Sequence, residues 1–375
     1  MKTAIVHDFL MQMGGAEKVV EDLHALFPDA PVYTSAYDPD LMPDYYRTWD
    51  IRTSFLQKLP AKKITHRLAL PFYPLAFEQF DLSEYDLVIS SSSAFAKGVI
   101  TRPDAVHICY THTPMRYGWS SQAYLERESM HPVLRTLIAP TLHKLRNWDV
   151  IASMRVDRHI ANSGIVAKRI AKYYRRDCDI VYPPVETHRF NISEQIGDYY
   201  LIVARFAPYK RLDLAIKACN KLNRKLIVAG SGRQEQDLRA MAGPTVEFRG
   251  RVSDNALCKL MAECKAYLMP GQEDFGITPV EVNACGRPVI AYGAGGALDS
   301  QIDGVTGVLF YEQTEDSLAE AVLKSETITF SPQRIREHSL KFDTSVFQKE
   351  ILRIIAEQQS AGMISQTDKN LELMI

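Results

Sequence analysis

No run of about 18 consecutive apolar residues occurs in the 375-residue chain, so no transmembrane helix is expected. The opening residues, Met1-Lys2-Thr3-Ala4-Ile5-Val6-His7, lack the apolar region and small-residue cleavage site of a signal peptide and run straight into a strand pattern. The expectation is a protein made and kept in the cytoplasm. Excess charge is also missing. A formal net charge of −1 removes the global basic field that nucleic-acid binders carry, so no nucleic-acid partner is expected and any anion must be met by a local patch. The six cysteines, at 109, 178, 219, 258, 264 and 285, form no CxxC pair and have no zinc-like spacing with histidine. They read as buried or incidental thiols in a reducing compartment. The dinucleotide fingerprint GxGxxG is absent too, which leaves a dehydrogenase reading without support.

What is present is alternation. Short apolar runs alternate with amphipathic runs, the pattern of an α/β fold with parallel sheets. In the first half the pattern predicts strands near 2–7, 31–34, 86–90, 105–110, 158–161 and 178–182, and helices near 15–27, 65–76, 134–155 and 164–175. Tyr182-Pro183-Pro184-Val185 breaks regular structure, and the polar stretch from Asn191 to Asp198 leads into a fresh strand at 199–204. The alternation then restarts. Strands are expected near 225–230, 245–248, 266–269, 288–291 and 307–310, and helices near 211–221, 234–242, 253–263, 278–285 and 315–324. The division that follows is a domain over 1–190, a second over 191–343, a closing helix at about 344–358 that rejoins the first, and a frayed polar tail over 359–375. Two such halves would leave a cleft, with ligands at the carboxyl ends of the strands.

Phosphate-binding signals sit at those ends. The first strand leads to Gly14-Gly15 and a helix start, where close backbone approach and free N–H groups suit an anion. The second half opens with a strand followed by Arg205 and Lys210; a guanidinium grips a diphosphate with two hydrogen bonds, and a lysine adds a point charge. The most specific segment is Pro270-Gly271-Gln272-Glu273-Asp274-Phe275-Gly276-Ile277-Thr278-Pro279-Val280-Glu281. Glu273 precedes a glycine turn, Glu281 lies about two turns into the helix that follows, and Gly276 and Ile277 offer N–H groups between them.

This E-x7-E motif, together with Arg205, Lys210, Gly14-Gly15 and Gly286-x-Pro288-Val289-Ile290, resembles the retaining GT-B glycosyltransferases of family 4, over about residues 1–325. The resemblance implies two Rossmann-like domains facing across a cleft, the acceptor bound mainly by the first and a nucleotide-sugar donor by the second. It is similar in particular to bacterial transferases that move mannose from GDP-mannose in surface polysaccharide assembly. Carried over, Glu273 would hold the donor sugar hydroxyls, Glu281 the ribose hydroxyls, and Arg205 and Lys210 the diphosphate, while Gly14 and Gly15 would let the first domain approach it. The stretch Gly250-Arg251-Val252 would read the base through its backbone, and Phe275, Gly276, Ile277 and Thr278 would line the phosphates. His112, in Tyr110-Thr111-His112-Thr113-Pro114, matches a residue that contacts the donor sugar near the reaction centre. The family often has Glu-Gly-Phe-Gly where this chain has Glu273-Asp274-Phe275-Gly276, which puts an extra carboxylate near a dianionic donor.

No metal and no cofactor besides the nucleotide-sugar co-substrate is expected. Asp38-Pro39-Asp40 and Asp177-Cys178-Asp179 both read DxD, but as solvated acids in a Pro-rich loop and beside a strand. From Arg52 to Phe77 there is no acidic residue, and Lys58, Lys62, Lys63 and Arg67 are interleaved with Phe55, Leu59, Ile64, Leu68 and Phe72. Arg52 belongs to the same basic set, and Leu56, Leu70 and Tyr73 to the same apolar one. That mixture suits an anionic membrane surface, a peripheral position at its inner face, and a glycan or polyprenyl-diphosphate-linked acceptor. Alternatives from other classes are a UDP-sugar-dependent transferase, a GT-B-type epimerase or phosphorylase, and a noncatalytic sugar-nucleotide binder.

Overall fold

A computed structural model describes residues 1–59, 69–119 and 132–372, with side chains left aside at 132–137 and from 361 onward. The chain divides into two compact units, Met1–Tyr182 with Phe347–Ile375, and Pro183–Val346. The second unit thus begins at Tyr182-Pro183-Pro184, ahead of the polar stretch.

The first unit holds a sheet of β1 (Thr3–His7), β2 (Val32–Thr34), β3 (Ile51–Thr53), β4 (Leu87–Ser92), β5 (Val106–Thr111), β6 (Arg158–Ala161) and β7 (Cys178–Ile180). Its order is β3-β2-β1-β4-β5-β6-β7, with every pairing parallel. The β3 strand was not expected: three residues with an exposed arginine at the sheet edge carry too little pattern to be read. Alternate residues of β1 feed opposite faces. Ile5 joins Ile89, Ile108 and Ile160 on one side, and Ala4 and Val6 join Tyr33 and Val88 on the other. The helix Gly15–Leu26 covers the first face through Val19, Val20 and Leu23, and so does the final helix through Phe347, Ile351, Ile354 and Ile355. That final helix spans Thr344–Glu372, longer than its apolar pattern indicates. Of the helix expected at 65–76, residues 60–68 lie outside the described residues. Beyond them a 3-10 turn at Leu70–Phe72 precedes a helix at Tyr73–Glu78, and prolines at 71 and 74 sit in first turns, where no amide donor is required.

Two buried carboxylates organise this unit. Asp8 accepts backbone hydrogen bonds from Ser93, Ala94, Phe95 and Ala96 at 2.5, 3.0, 2.7 and 2.8 Å, which seats the loop after β4 against the end of β1. The loop then delivers Lys97 to Asp149 in an ion pair with both side chains fully buried. Asp149 also accepts from Trp119 Nε1 at 2.7 Å and from Tyr174 hydroxyl at 2.8 Å, and Lys97 donates to the Ala94 carbonyl at 2.6 Å.

The second unit holds β8 (Tyr200–Val203), β9 (Leu226–Ala229), β10 (Val246–Gly250), β11 (Ala266–Met269), β12 (Val289–Tyr292) and β13 (Gly307–Phe310). Their order is β10-β9-β8-β11-β12-β13, again all parallel. The helix Leu212–Leu222 packs Leu212, Ala215, Ile216 and Cys219 onto Ile202 and Val228. Helix Pro332–Ser339, capped by the Ser331 hydroxyl, was not expected, because Arg, Glu and His fill its short span. All six cysteines are free, four of them buried, and burial pushes the Cys219 and Cys285 thiols up to about 12, far from thiolate reactivity.

Lys97→Met leaves Asp149 buried without its counter-ion and should lower the unfolding free energy by about 3–5 kcal/mol, read from the denaturant midpoint. Lys221→Met, which removes an exposed pairing with Asp316, should leave the midpoint almost unchanged. Burial lowers His107 to about 3, helped by the His159 and Arg155 charges, and lowers His159 to about 4, both from 6.5. The unfolded chain therefore takes up protons that the folded chain refuses. Stability should fall as pH drops from 6.5 toward 4, by up to about 1.4 kcal/mol per pH unit for each group. Denaturation midpoints measured across that range should flatten in His107→Gln.

Candidate functional site

Parallel strands place their carboxyl ends along one edge of a sheet, and in each unit the sequence-selected residues gather there. In the second unit Arg205 follows β8 and is exposed. Lys210 ends a short 3-10 turn, Pro208–Lys210, and its ammonium forms an ion pair with Glu273, each side chain less than a quarter exposed. Two of the expected ligands are thus in direct contact and neutralise one another.

Backbone contacts hold this arrangement. The loop after β11 runs under the loop after β8, and a Cβ on Gly271 would lie 2.4 Å from the Tyr209 carbonyl oxygen and 2.7 Å from Lys210 Cα. Only glycine allows that approach. Glu273 makes an isolated bridge with Gly295, and its carbonyl accepts from Gly296 N at 3.0 Å. Gln313 Nε2 donates to the Pro270 carbonyl at 2.9 Å while its oxygen accepts from Arg211 at 3.2 Å. None of Gly271, Gly295, Gly296 or Gln313 was singled out from sequence as holding these loops, since their contacts are with backbone far away along the chain.

Gly276, at φ 90°, caps the helix Ile277–Ala284 in a conformation that side chains avoid. The N–H groups of Ile277 and Thr278 therefore stand at its positive end. Phe275 is buried. Glu281 is one turn past the helix start, closer than the two turns expected, because the helix begins only at Ile277; its side chain is buried. Tyr267 lies near both glutamates. Burial above all, with Glu273 and Glu281 adding to it, raises its phenol well above the ordinary range, so it remains a donor, here to the Val203 carbonyl at 2.9 Å. Gly250, at φ 63°, passes its carbonyl to Gly230 N at 2.7 Å, and Arg251 reaches Ser231 Oγ at 3.3 Å, so Gly250-Arg251-Val252 lies beside the turn after β9.

In the first unit Gly14 and Gly15 are exposed at the start of the helix after β1. His112, just past β5, is buried, and its Nε2 lies 2.8 Å from Ser91 Oγ at the end of β4. Glu17, His7, Asp8 and Ser91, buried at the same edge, were not singled out from sequence. A carboxylate inside an apolar helix face, at Glu17, was the available signal.

Among the described residues no group of three or more His, Cys, Asp or Glu is placed to hold a metal ion. Asp40 pairs with Arg47, and Asp179 takes Arg158 at 2.7 and 3.1 Å. Lys62, Lys63 and Arg67 lie outside the described residues. Lys58 is exposed, as are Phe55, Leu59, Phe72 and Leu75. Leu56, Leu70 and Tyr73 are instead buried in the core of the unit, and Arg52 is neutralised by Asp50 at 2.7 Å. Among the described residues no helix is long and apolar enough to cross a membrane.

The family model for Glycosyltransferase Family 4 matches residues 13–189, and that for Glycosyl transferases group 1 matches residues 186–341. Human alpha-1,3/1,6-mannosyltransferase ALG2 is 25% identical over 77% of this chain and 76% of its own. A GDP-mannose-dependent monoacylated alpha-(1-6)-phosphatidylinositol monomannoside mannosyltransferase of Corynebacterium glutamicum is 31% identical over 32% of this chain and 36% of its own. The crystal structure of Anabaena HepE in complex with UDP matches with a TM-score of 0.70 at 19% identity, over 95% of this chain and 100% of that one, a likeness of fold. With one family model along the first unit and another along the second, and two parallel-sheet Rossmann-like domains beneath them, the chain is a GT-B glycosyltransferase of the family 4 and group 1 type.

Proposed function

We propose that the protein transfers a hexose with retention of configuration, mannose from GDP-mannose, to a lipid-linked or glycan acceptor in surface polysaccharide synthesis. The observation that carries the donor site is the Lys210–Glu273 pair, set at the carboxyl edge of the second sheet beside the Gly276-capped helix that bears Glu281. A nucleoside diphosphate brings two charges that would draw Lys210 from Glu273 and engage Arg205 and the N–H groups of Ile277 and Thr278. Glu273 is then released to accept from sugar hydroxyls, and Glu281 from ribose hydroxyls. His112 would contact the sugar.

The chemistry asks for stabilisation of the leaving diphosphate. As its bond to the anomeric carbon breaks, the acceptor hydroxyl oxygen forms the new bond on the same face and gives its proton to the leaving phosphate. Cationic side chains and helix N–H groups would do this without a metal, each worth on the order of 3 kcal/mol. Support for mannose comes from relatives named as mannosyltransferases. A second reading, a UDP-sugar donor, is favoured by neighbours solved with UDP and UDP-glucose. The exposed Lys58, Phe55 and Leu59 support an anionic membrane surface as the acceptor's location, with the protein peripheral at its inner face.

Nucleotide release by the purified chain tests this, with GDP-, UDP- and ADP-sugars, with and without chelator, and with and without a membrane lipid extract. One donor should be turned over despite chelator and faster with lipid. Lys210→Ala and Glu273→Ala should each reduce that rate about 100-fold or more. Preference for a UDP-sugar would select the second reading, and release from no donor would remove both.

A further inference from the structure

At the carboxyl edge of the first sheet, four buried polar side chains make a continuous line. Glu17, in the first turn of helix Gly15–Leu26, has its carboxylate 3.7 Å from His7 Nε2. His7, last in β1, is in register with Ser91 on β4, and its Nδ1 lies 3.1 Å from both the Ser91 carbonyl oxygen and Ser91 Oγ. Ser91 Oγ in turn lies 2.8 Å from His112 Nε2. The relative exposures are 3% for Glu17, 2% for His7, 0% for Ser91 and 9% for His112, so water does not screen the line.

The donor and acceptor rules give this line a direction. A carbonyl oxygen only accepts, so His7 Nδ1 carries a hydrogen and shares it between the Ser91 carbonyl and hydroxyl oxygens. Glu17 faces the other ring nitrogen at 3.7 Å and so fixes the orientation of the His7 ring. With its oxygen receiving from His7, the Ser91 hydroxyl directs its own hydrogen at His112 Nε2. That nitrogen is then the acceptor, and the proton of the neutral His112 ring resides on Nδ1.

We propose that Glu17, His7 and Ser91 are positioning residues that hold His112 in the Nδ1–H tautomer, so that His112 serves the sugar as a hydrogen-bond donor and not as a base. The part concerning the sugar rests on the role proposed for His112 above. A donor of fixed orientation costs no reorganisation when charge develops, whereas a ring that flips between tautomers offers a lone pair half the time.

Nitrogen-15 NMR of the imidazole groups in the labelled full chain reads the tautomer with no substrate added. Wild-type His112 should show a protonated Nδ1 and an unprotonated Nε2. Ser91→Ala should convert this to a mixture or to the other tautomer, and Ser91→Thr, which keeps the hydroxyl, should restore it. Glu17→Gln should shift it in the same direction as Ser91→Ala, which covers the case of one variant folding poorly. For nucleotide release, Ser91→Ala should lower kcat about 10- to 100-fold with the donor KM within about twofold of wild type, and Ser91→Thr should recover kcat. A wild-type His112 protonated on Nε2, or a tautomer indifferent to both Ser91→Ala and Glu17→Gln, overturns the proposal. The expected tautomer in a chain that releases no nucleotide upholds the line and rejects the transferase role of His112 alone.

Discussion

The Asp8 carboxylate accepts four backbone N–H groups from residues 93–96, and the carboxyl edge of the first sheet depends on that acceptance. Those donors would otherwise be buried without partners, each at a cost of about 1–3 kcal/mol. With them satisfied, the chain leaving β4 turns sharply and stays against β1. The turn fixes the end of β4, and with it Ser91 between His7 and His112. It also carries Lys97 inward to Asp149, whose other partners, Trp119 and Tyr174, come from distant parts of the unit. One short polar side chain after the first strand thus orders both a buried ion pair and the line of groups that ends at His112.

The second unit reaches a comparable rigidity by other means. Its carboxyl-edge loops are held by close backbone approach at Gly271, by the Glu273–Gly295 bridge and by Gln313 reaching the Pro270 carbonyl. Such contacts hold the loops without enlisting the side chains of Lys210 or Glu273. The charged groups that remain, Lys210 and Glu273, satisfy each other. The two charges are thus paired at the carboxyl edge on loops whose backbone is already fixed.

Much of the fold was legible because parallel strands buried on both faces read as short continuous apolar runs between amphipathic helices. The twelve-residue helix that starts at Gly15 and the strands that precede Arg205 and Glu273 lie where the pattern puts them. Two missed elements share one physical cause, weak local pattern. Edge strand Ile51–Thr53 gains its structure from pairing with β2, and helix Pro332–Ser339 buries only Ile335 and Ser339. Helix Ile277–Ala284 starts where Gly276 adopts a positive φ, so Glu281 stands one turn in.

By itself the amino-acid sequence determined the α/β class, the succession of two units, and the placing of Arg205, Lys210, Glu273 and Gly276 after strand ends. These follow from periodicity and from motifs read within about ten residues, where local geometry governs. Only the tertiary structure decided that Lys210 meets Glu273, that Arg52 is neutralised by Asp50 and so adds no net charge to the basic patch, and that Glu17, His7, Ser91 and His112 form one buried line. The pairing of His7 with Ser91 bridges 84 residues. Such contacts are set by strand order and register, which depend on the packing of the whole sheet and leave no trace in any single window of sequence.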